Sequence, residues 1–135
     1  MILMIDEEKR RMDIFVRYLH DSGFDVKLIS DVDEALEYLM KNIDKVEVII
    51  LDIMMPWGKA FDSQETELGL LTGYKFYYKF RKEYGYKIPI IIYTALNRPK
   101  ILSELNSEKQ CTVFQKSNTT VRMIIDELNR LSLNK

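Results

Sequence analysis

VEVIILDIMMP, residues 46–56, is the stretch that decides the fold. From Val48 to Leu51 no polar residue interrupts the run, whereas a strand with one wet face alternates polar and apolar side chains. A strand that is apolar on both faces belongs in a parallel sheet covered by helices on each side. The run stops at Asp52, which puts a carboxylate at the carboxyl end of a buried strand. Outward from it, short apolar runs rich in β-branched residues at 1–5 (MILMI), 24–29, 88–93 (IPIIIY) and 111–115 predict four more strands, each bounded by turn or charged residues.

Between the strands the apolar spacing becomes helical. Met12, Phe15, Val16 and Leu19 make one stripe expected to be buried, and Leu36, Leu39, Met40 and Ile43 a second. Tyr77, Phe80 and Tyr84 give an aromatic third, and Val121, Ile124, Ile125 and Leu128 close the chain with a last one. The remaining helix, about 99–105, has Pro99 in its first turn and only Ile101, Leu102 and Leu105 as anchors, so it is expected to be the least firmly held. Ser30 with Asp33 reads as a capping box ahead of the second helix, and Ser117 to Thr119 as a source of N-cap oxygens for the last. Strict alternation of five strands with five helices predicts an α/β fold with a doubly wound five-stranded parallel sheet, and right-handed crossovers point to the strand order 2-1-3-4-5. Residues 55–72 contain Pro56, Gly58 and Gly69 and show no clean period; this is too long for an ordinary βα connection, so an inserted loop at about 57–72 is expected, either functional or partly disordered.

The 135 residues fit one domain, 1–135, and a hydrophobic content of 47% supplies one covered core. Twenty Lys and Arg stand against 21 Asp and Glu, so no overall basic field argues for nucleic acid or an anionic membrane. No apolar stretch approaches the ~20 residues that span a bilayer. The opening MILMIDEEKR lacks both a basic flank and the length of a signal segment, so a cytoplasmic protein is expected. The lone Cys111 excludes an intramolecular disulfide framework and fits a buried thiol in a reducing compartment.

In the expected order the carboxyl ends of strands one, three, four and five adjoin, which gathers Asp6, Glu7, Asp52, Thr94 and Lys116 on one patch. Three carboxylates so close repel unless a cation compensates or one of them takes up a proton. Mg²⁺ suits such a site, because it takes one or two carboxylates and keeps positions for waters and phosphate oxygens. Lys116 supplies a compact positive charge that can pair with Asp52 and then with a phosphoryl oxygen, and Thr94 supplies a hydroxyl donor. These groups suit in-line attack of a carboxylate on phosphorus, where positioning and charge neutralisation supply most of the catalysis.

With these residues in order, the sequence resembles the receiver domain of two-component response regulators over essentially its whole length. The resemblance rests on ILMIDEE, IILDIMMP, IIYTA and FQKS. It implies the flavodoxin-like fold, Asp52 as the phosphorylated aspartate, and Thr94 and Lys116 as the residues that grip the phosphoryl group. It implies Asp6, Glu7, Asp52 and the backbone carbonyl of Met54 as ligands of Mg²⁺. It further implies a sensor histidine kinase or phosphotransfer protein as donor, with a downstream protein partner or a homodimer as output through the face built by the fourth helix, fifth strand and fifth helix. Four positions depart from the family's pattern. Glu7 replaces the more usual Asp, Ser117 the proline after the lysine, and Val113 the Tyr or Phe that serves as a rotating switch; the segment between Pro56 and Gly73 is over a dozen residues longer than the usual turn. A readout other than the aromatic switch is therefore expected.

Plainer readings stand beside these. Asp52 alone reads as a cap or strand terminator, Asp6 and Glu7 as acids complementing a helix dipole, Thr94 as a β-branched strand residue and Lys116 as a solvated lysine. Their convergence argues against taking each alone. His20, near a helix end, reads as a surface histidine, and Trp57 as a lid or partner anchor or as loop packing. Two rival functions are a phosphorylation-independent interaction module on the same fold and a phosphatase with an aspartyl-phosphate intermediate. The latter needs a second acid two residues past the nucleophile, where Met54 sits. Apolar Met54 and Leu96, two past the aspartate and the threonine, also predict slow self-dephosphorylation.

Overall fold

Side-chain alternation sorts the strands' apolar residues onto two helical layers. The computed structural model describes residues 1–131, so residues 132–135 of the expected 1–135 domain lie outside the described residues. The strands are β1 (Ile2–Ile5), β2 (Val26–Ile29), β3 (Val48–Leu51), β4 (Ile90–Thr94) and β5 (Cys111–Gln115). They form one parallel sheet in the order β2-β1-β3-β4-β5, as expected. The helices are α1 (Lys9–Asp21), α2 (Val32–Asn42), α3 (Thr72–Tyr78), α4 (Pro99–Asn106) and α5 (Val121–Arg130). Leu3, Ile5, Ile49, Leu51, Ile90 and Ile92 point into one layer with Leu36, Leu39, Phe76, Phe80 and Leu105. Their strand neighbours Ile2, Met4, Val48, Ile50, Ile91 and Tyr93 point into the other, with Met12, Phe15, Leu19, Ile124, Ile125 and Leu128. Burying one such aliphatic side chain contributes about 1.5–3 kcal/mol. The register aligns Ile5 with both Ile29 and Leu51, so Asp6 and Asp52 leave the sheet side by side.

Several local expectations shift. The α2 stripe is Val32, Ala35, Leu36 and Leu39, and Met40 is 65% exposed because the buried face lies one turn nearer the amino end. The α2 cap is Asp31, whose carboxylate accepts from Glu34 N at 2.9 Å, not Ser30. Asp33 turns away and accepts from Lys59 N and Ala60 N at 2.6 and 2.8 Å. At the last helix a 3-10 turn over Lys116–Asn118 takes up the segment expected to cap, and Thr120 caps instead, accepting from Met123 N at 3.3 Å. The aromatic stripe splits: α3 gives way to a π turn at Lys79–Glu83, and Tyr84 is exposed while Tyr77 and Phe80 are buried. In α4 only Leu105 is buried, yet polar contacts also hold the helix: Tyr74 and Tyr78 each donate a hydroxyl to Glu104 Oε2, at 2.6 and 2.5 Å.

The inserted loop is a hydrogen-bonded strap. Its base closes through Met55 N to Gly69 O at 3.0 Å and Thr72 Oγ1 to Met55 O at 2.5 Å. One flank rests on Asp33 of α2. The other is joined to Arg98, the residue before α4, by a forked ion pair from Glu67, at 2.6 and 3.1 Å. The alternative of partial disorder gives way to this anchoring.

Candidate functional site

The carboxyl edge of the sheet places its polar residues by strand alternation. Asp6 follows β1 and is 1% exposed; Asp52 follows β3 and is 4% exposed; Thr94 ends β4, fully buried. Lys116 opens the 3-10 turn after β5. Its ammonium donates to Asp6 Oδ2 at 2.8 Å and to Asp52 Oδ2 at 3.4 Å, spanning β1, β3 and β5 at one point. The remaining carboxylate oxygens are taken by the chain's own backbone: Glu8 N–H donates to Asp6 Oδ1 at 2.9 Å, and Met54 N–H to Asp52 Oδ1 at 3.2 Å. The Thr94 hydroxyl accepts from Leu96 N at 3.2 Å, and Gln115 Nε2 holds Leu96 O at 3.2 Å, which fixes the start of the β4–α4 connection.

The electrostatics follow from two buried acids and one half-buried cation. Asp52 is pushed up to about 6, first by burial and then by the charge of Asp6; Lys116, Thr94 and the Met54 N–H pull against this. For Lys116, burial works against its charge, but Asp52, Asp6 and Glu8 outweigh it and hold the ammonium above its ordinary range. Asp52 therefore sits where added positive charge is favoured.

Asp6, Asp52, Thr94 and Lys116 come together as the sequence suggested. Glu7 does not join them: it is exposed, in the bend between β1 and α1 where Lys9 N donates to Glu7 O and Glu8 N to Asp6 Oδ1. Among the described residues no three acid, histidine or cysteine side chains stand as a ready cation cage. The donors that remain are the two buried carboxylates, together with the backbone carbonyl expected from Met54, whose N–H meets Asp52. All are hard oxygen donors, and one or two carboxylates is the number Mg²⁺ prefers, so the residues present fit that ion.

Sequence reasoning missed three supports. Gly73, in the first turn of α3, lies against the Asp52 backbone, where an added Cβ would collide with the Asp52 carbonyl and Ile53 Cα; a lone glycine near the start of a helical pattern was the available signal. Gln115 and Tyr93 read only as strand residues, and their contacts come from elements distant in sequence.

A family model described as the response regulator receiver domain matches residues 2–125. Among curated proteins, the chain is 30% identical over 94 residues to the transcriptional regulatory protein DltR of Streptococcus agalactiae serotype III (strain NEM316), covering 70% of this chain and 35% of that protein. It is 38% identical over 61 residues to the response regulator SaeR of Staphylococcus epidermidis (strain ATCC 12228), covering 45% of this chain and 25% of that one. The matched stretches thus span about a third and a quarter of those relatives. Among solved structures, the receiver domain of the Francisella response regulator 1452 superposes with a TM-score of 0.72 at 22% identity, covering 96% of this chain and 93% of that one. The Vibrio cholerae chemotaxis protein CheY4 does so at 0.71 and 24%, covering 96% of each chain. Identities this low speak for the fold.

Proposed function

The chain belongs to the response regulator receiver family, and from that premise we propose that it accepts a phosphoryl group on Asp52 from a phosphohistidine of a sensor kinase or phosphotransfer protein and then alters its protein contacts. The observation that carries this reading is Lys116 Nζ shared between the buried Asp6 and Asp52. A lysine held by two carboxylates can follow the charge as it moves onto phosphorus, keeping one contact while it makes another. In the step, a carboxylate oxygen of Asp52 forms the O–P bond as the donor's N–P bond breaks, and the departing imidazole takes up a proton. Thr94 offers a hydroxyl to one phosphoryl oxygen and Lys116 its ammonium to another. Receiver domains of this family bind Mg²⁺ at the phosphorylation site. Here Asp6, Asp52 and the Met54 carbonyl would hold it, with Glu7 at the rim, and the ion when bound neutralises charge on the phosphoryl oxygens. The protein is on this reading a regulator that assists its own modification, not a turnover enzyme. Incubation with Mg²⁺ and a small phosphodonor is expected to add one acid-stable, base-labile phosphate, absent in Asp52→Asn. No incorporation at saturating donor would defeat the reading, and would favour a phosphorylation-independent interaction module.

A further inference from the structure

We propose that Tyr93 is a positioning residue for Lys116, an inference that rests on the phosphoacceptor reading of the site. Tyr93 is the penultimate residue of β4, is 8% exposed, and points into the layer of α1 and α5. Its ring stacks on Phe15 of α1, with centroids 5.1 Å apart and planes at 24°. The Lys116 ammonium lies 5.4 Å from the centre of that ring. The same ammonium reaches Asp6 and Asp52 at 2.8 and 3.4 Å, so it is held by acids and by the face of an aromatic ring whose own place is fixed by Phe15.

The chemical value of a ring here is that it is neutral. A lysine side chain is a flexible stem with many rotamers, and a site that uses it must restrict it. A third carboxylate would restrict it too, but would bind it as an ion pair and add negative charge beside Asp52. The quadrupole of a tyrosine attracts the cation more weakly and leaves its full charge for the phosphoryl oxygens. Tyr93 also stands beside Phe114 in the register with β5, which leads directly to Lys116, so the ring and the base of the lysine stem are set by the same pair of strands. The plainer reading, a tyrosine that merely fills the core, accounts for the stack on Phe15 but makes no demand on Lys116.

The test uses the full-length chain labelled with ¹³C at lysine Cε, together with phosphorylation kinetics from a small phosphodonor at saturating Mg²⁺. In the unaltered protein and in Tyr93→Phe, the Lys116 ε-methylene protons are expected to be shifted upfield by the ring, and the maximal rates to be similar. In Tyr93→Leu the shift is expected to be lost and the maximal rate to fall by roughly 5-fold, the size of a partly desolvated cation–π contact. Tyr93→Met, closer in volume, serves as a second variant should leucine loosen the packing on Phe15. A wild-type rate, or an unmoved Lys116 resonance, in the folded Leu or Met variant overturns the inference while leaving the phosphoacceptor reading intact. Absence of phosphate from the unaltered protein overturns both.

Discussion

Asp52 is buried beside a second acid, so its ionisation works against the fold in the absence of an added cation. Its carboxyl stands at about 6 against an ordinary 3.8. An acid raised in the folded state contributes stability that is fully present below pH 3.8 and is lost as pH rises through about 6. Asp52→Asn, which cannot ionise, is therefore expected to be more stable than the unaltered protein at neutral pH in chelator, by about 2–3 kcal/mol. The gain should vanish below pH 4, and urea unfolding at the two pH values measures it. The sequence carried much of this site, because Asp6, Asp52 and Lys116 each follow an apolar run and Thr94 ends one. It did not show that Glu7 is exposed, since that depends on how the chain turns between β1 and α1. Nor did it show Tyr93 under Lys116, because one apolar strand residue looks like another until its neighbours from α1 and β5 are in place.

The elements that frame the site are α3 and the strap ahead of it. α3 begins so close to the end of β3 that Gly73 N donates to Ile53 O at 2.8 Å, with no room for a side chain between helix and strand. Gly73→Ala must move the backbone at Asp52 itself. A loss of about 1–3 kcal/mol is expected on thermal unfolding, with altered phosphorylation kinetics from a residue that touches no substrate. The strap is held differently. Glu67 and Leu68 both adopt left-handed backbone, φ 50° and 58°, although neither is glycine. Each such residue costs on the order of 1 kcal/mol, so the turn persists because its surroundings fix it. The Glu67–Arg98 pair is one such restraint, and it is exposed enough for water to screen it strongly. Glu67→Ala should thus leave global stability nearly unchanged while hydrogen exchange quickens across residues 63–71. The regular elements were legible from spacing alone. The strap was not, because its anchors Asp33 and Arg98 lie 26 and 31 residues from their partners and nothing local marks them. Likewise the helix caps fell beyond the expected residues, Asp31 for Ser30 and Thr120 for the stretch Ser117 to Thr119, because adjacent polar residues offer the same oxygen chemistry.

The whole molecule links that local charge to global unfolding. Both faces of the sheet are buried, and Asp6 and Asp52 emerge from two adjacent interior strands, so relieving their repulsion stabilises the unit that unfolds cooperatively. A cation that binds the folded form and not the unfolded chain adds RT ln(1 + [L]/Kd), about 1.4 kcal/mol at tenfold excess over Kd. In a domain of this size that is a rise in Tm of about 5 °C. Mg²⁺ is accordingly expected to raise the Tm of the unaltered protein at about pH 8, where Asp52 is ionised, and to do so much less below pH 5, where it is protonated. Asp52→Asn removes one of the two buried charges and should start higher and respond little. Thermal scans of both proteins across a Mg²⁺ series should therefore converge from a gap that favours the Asn variant in chelator. Parallel curves would mean that the ion, wherever it binds, does not sense Asp52, and the assignment of Asp6, Asp52 and the Met54 carbonyl as its holders would fall.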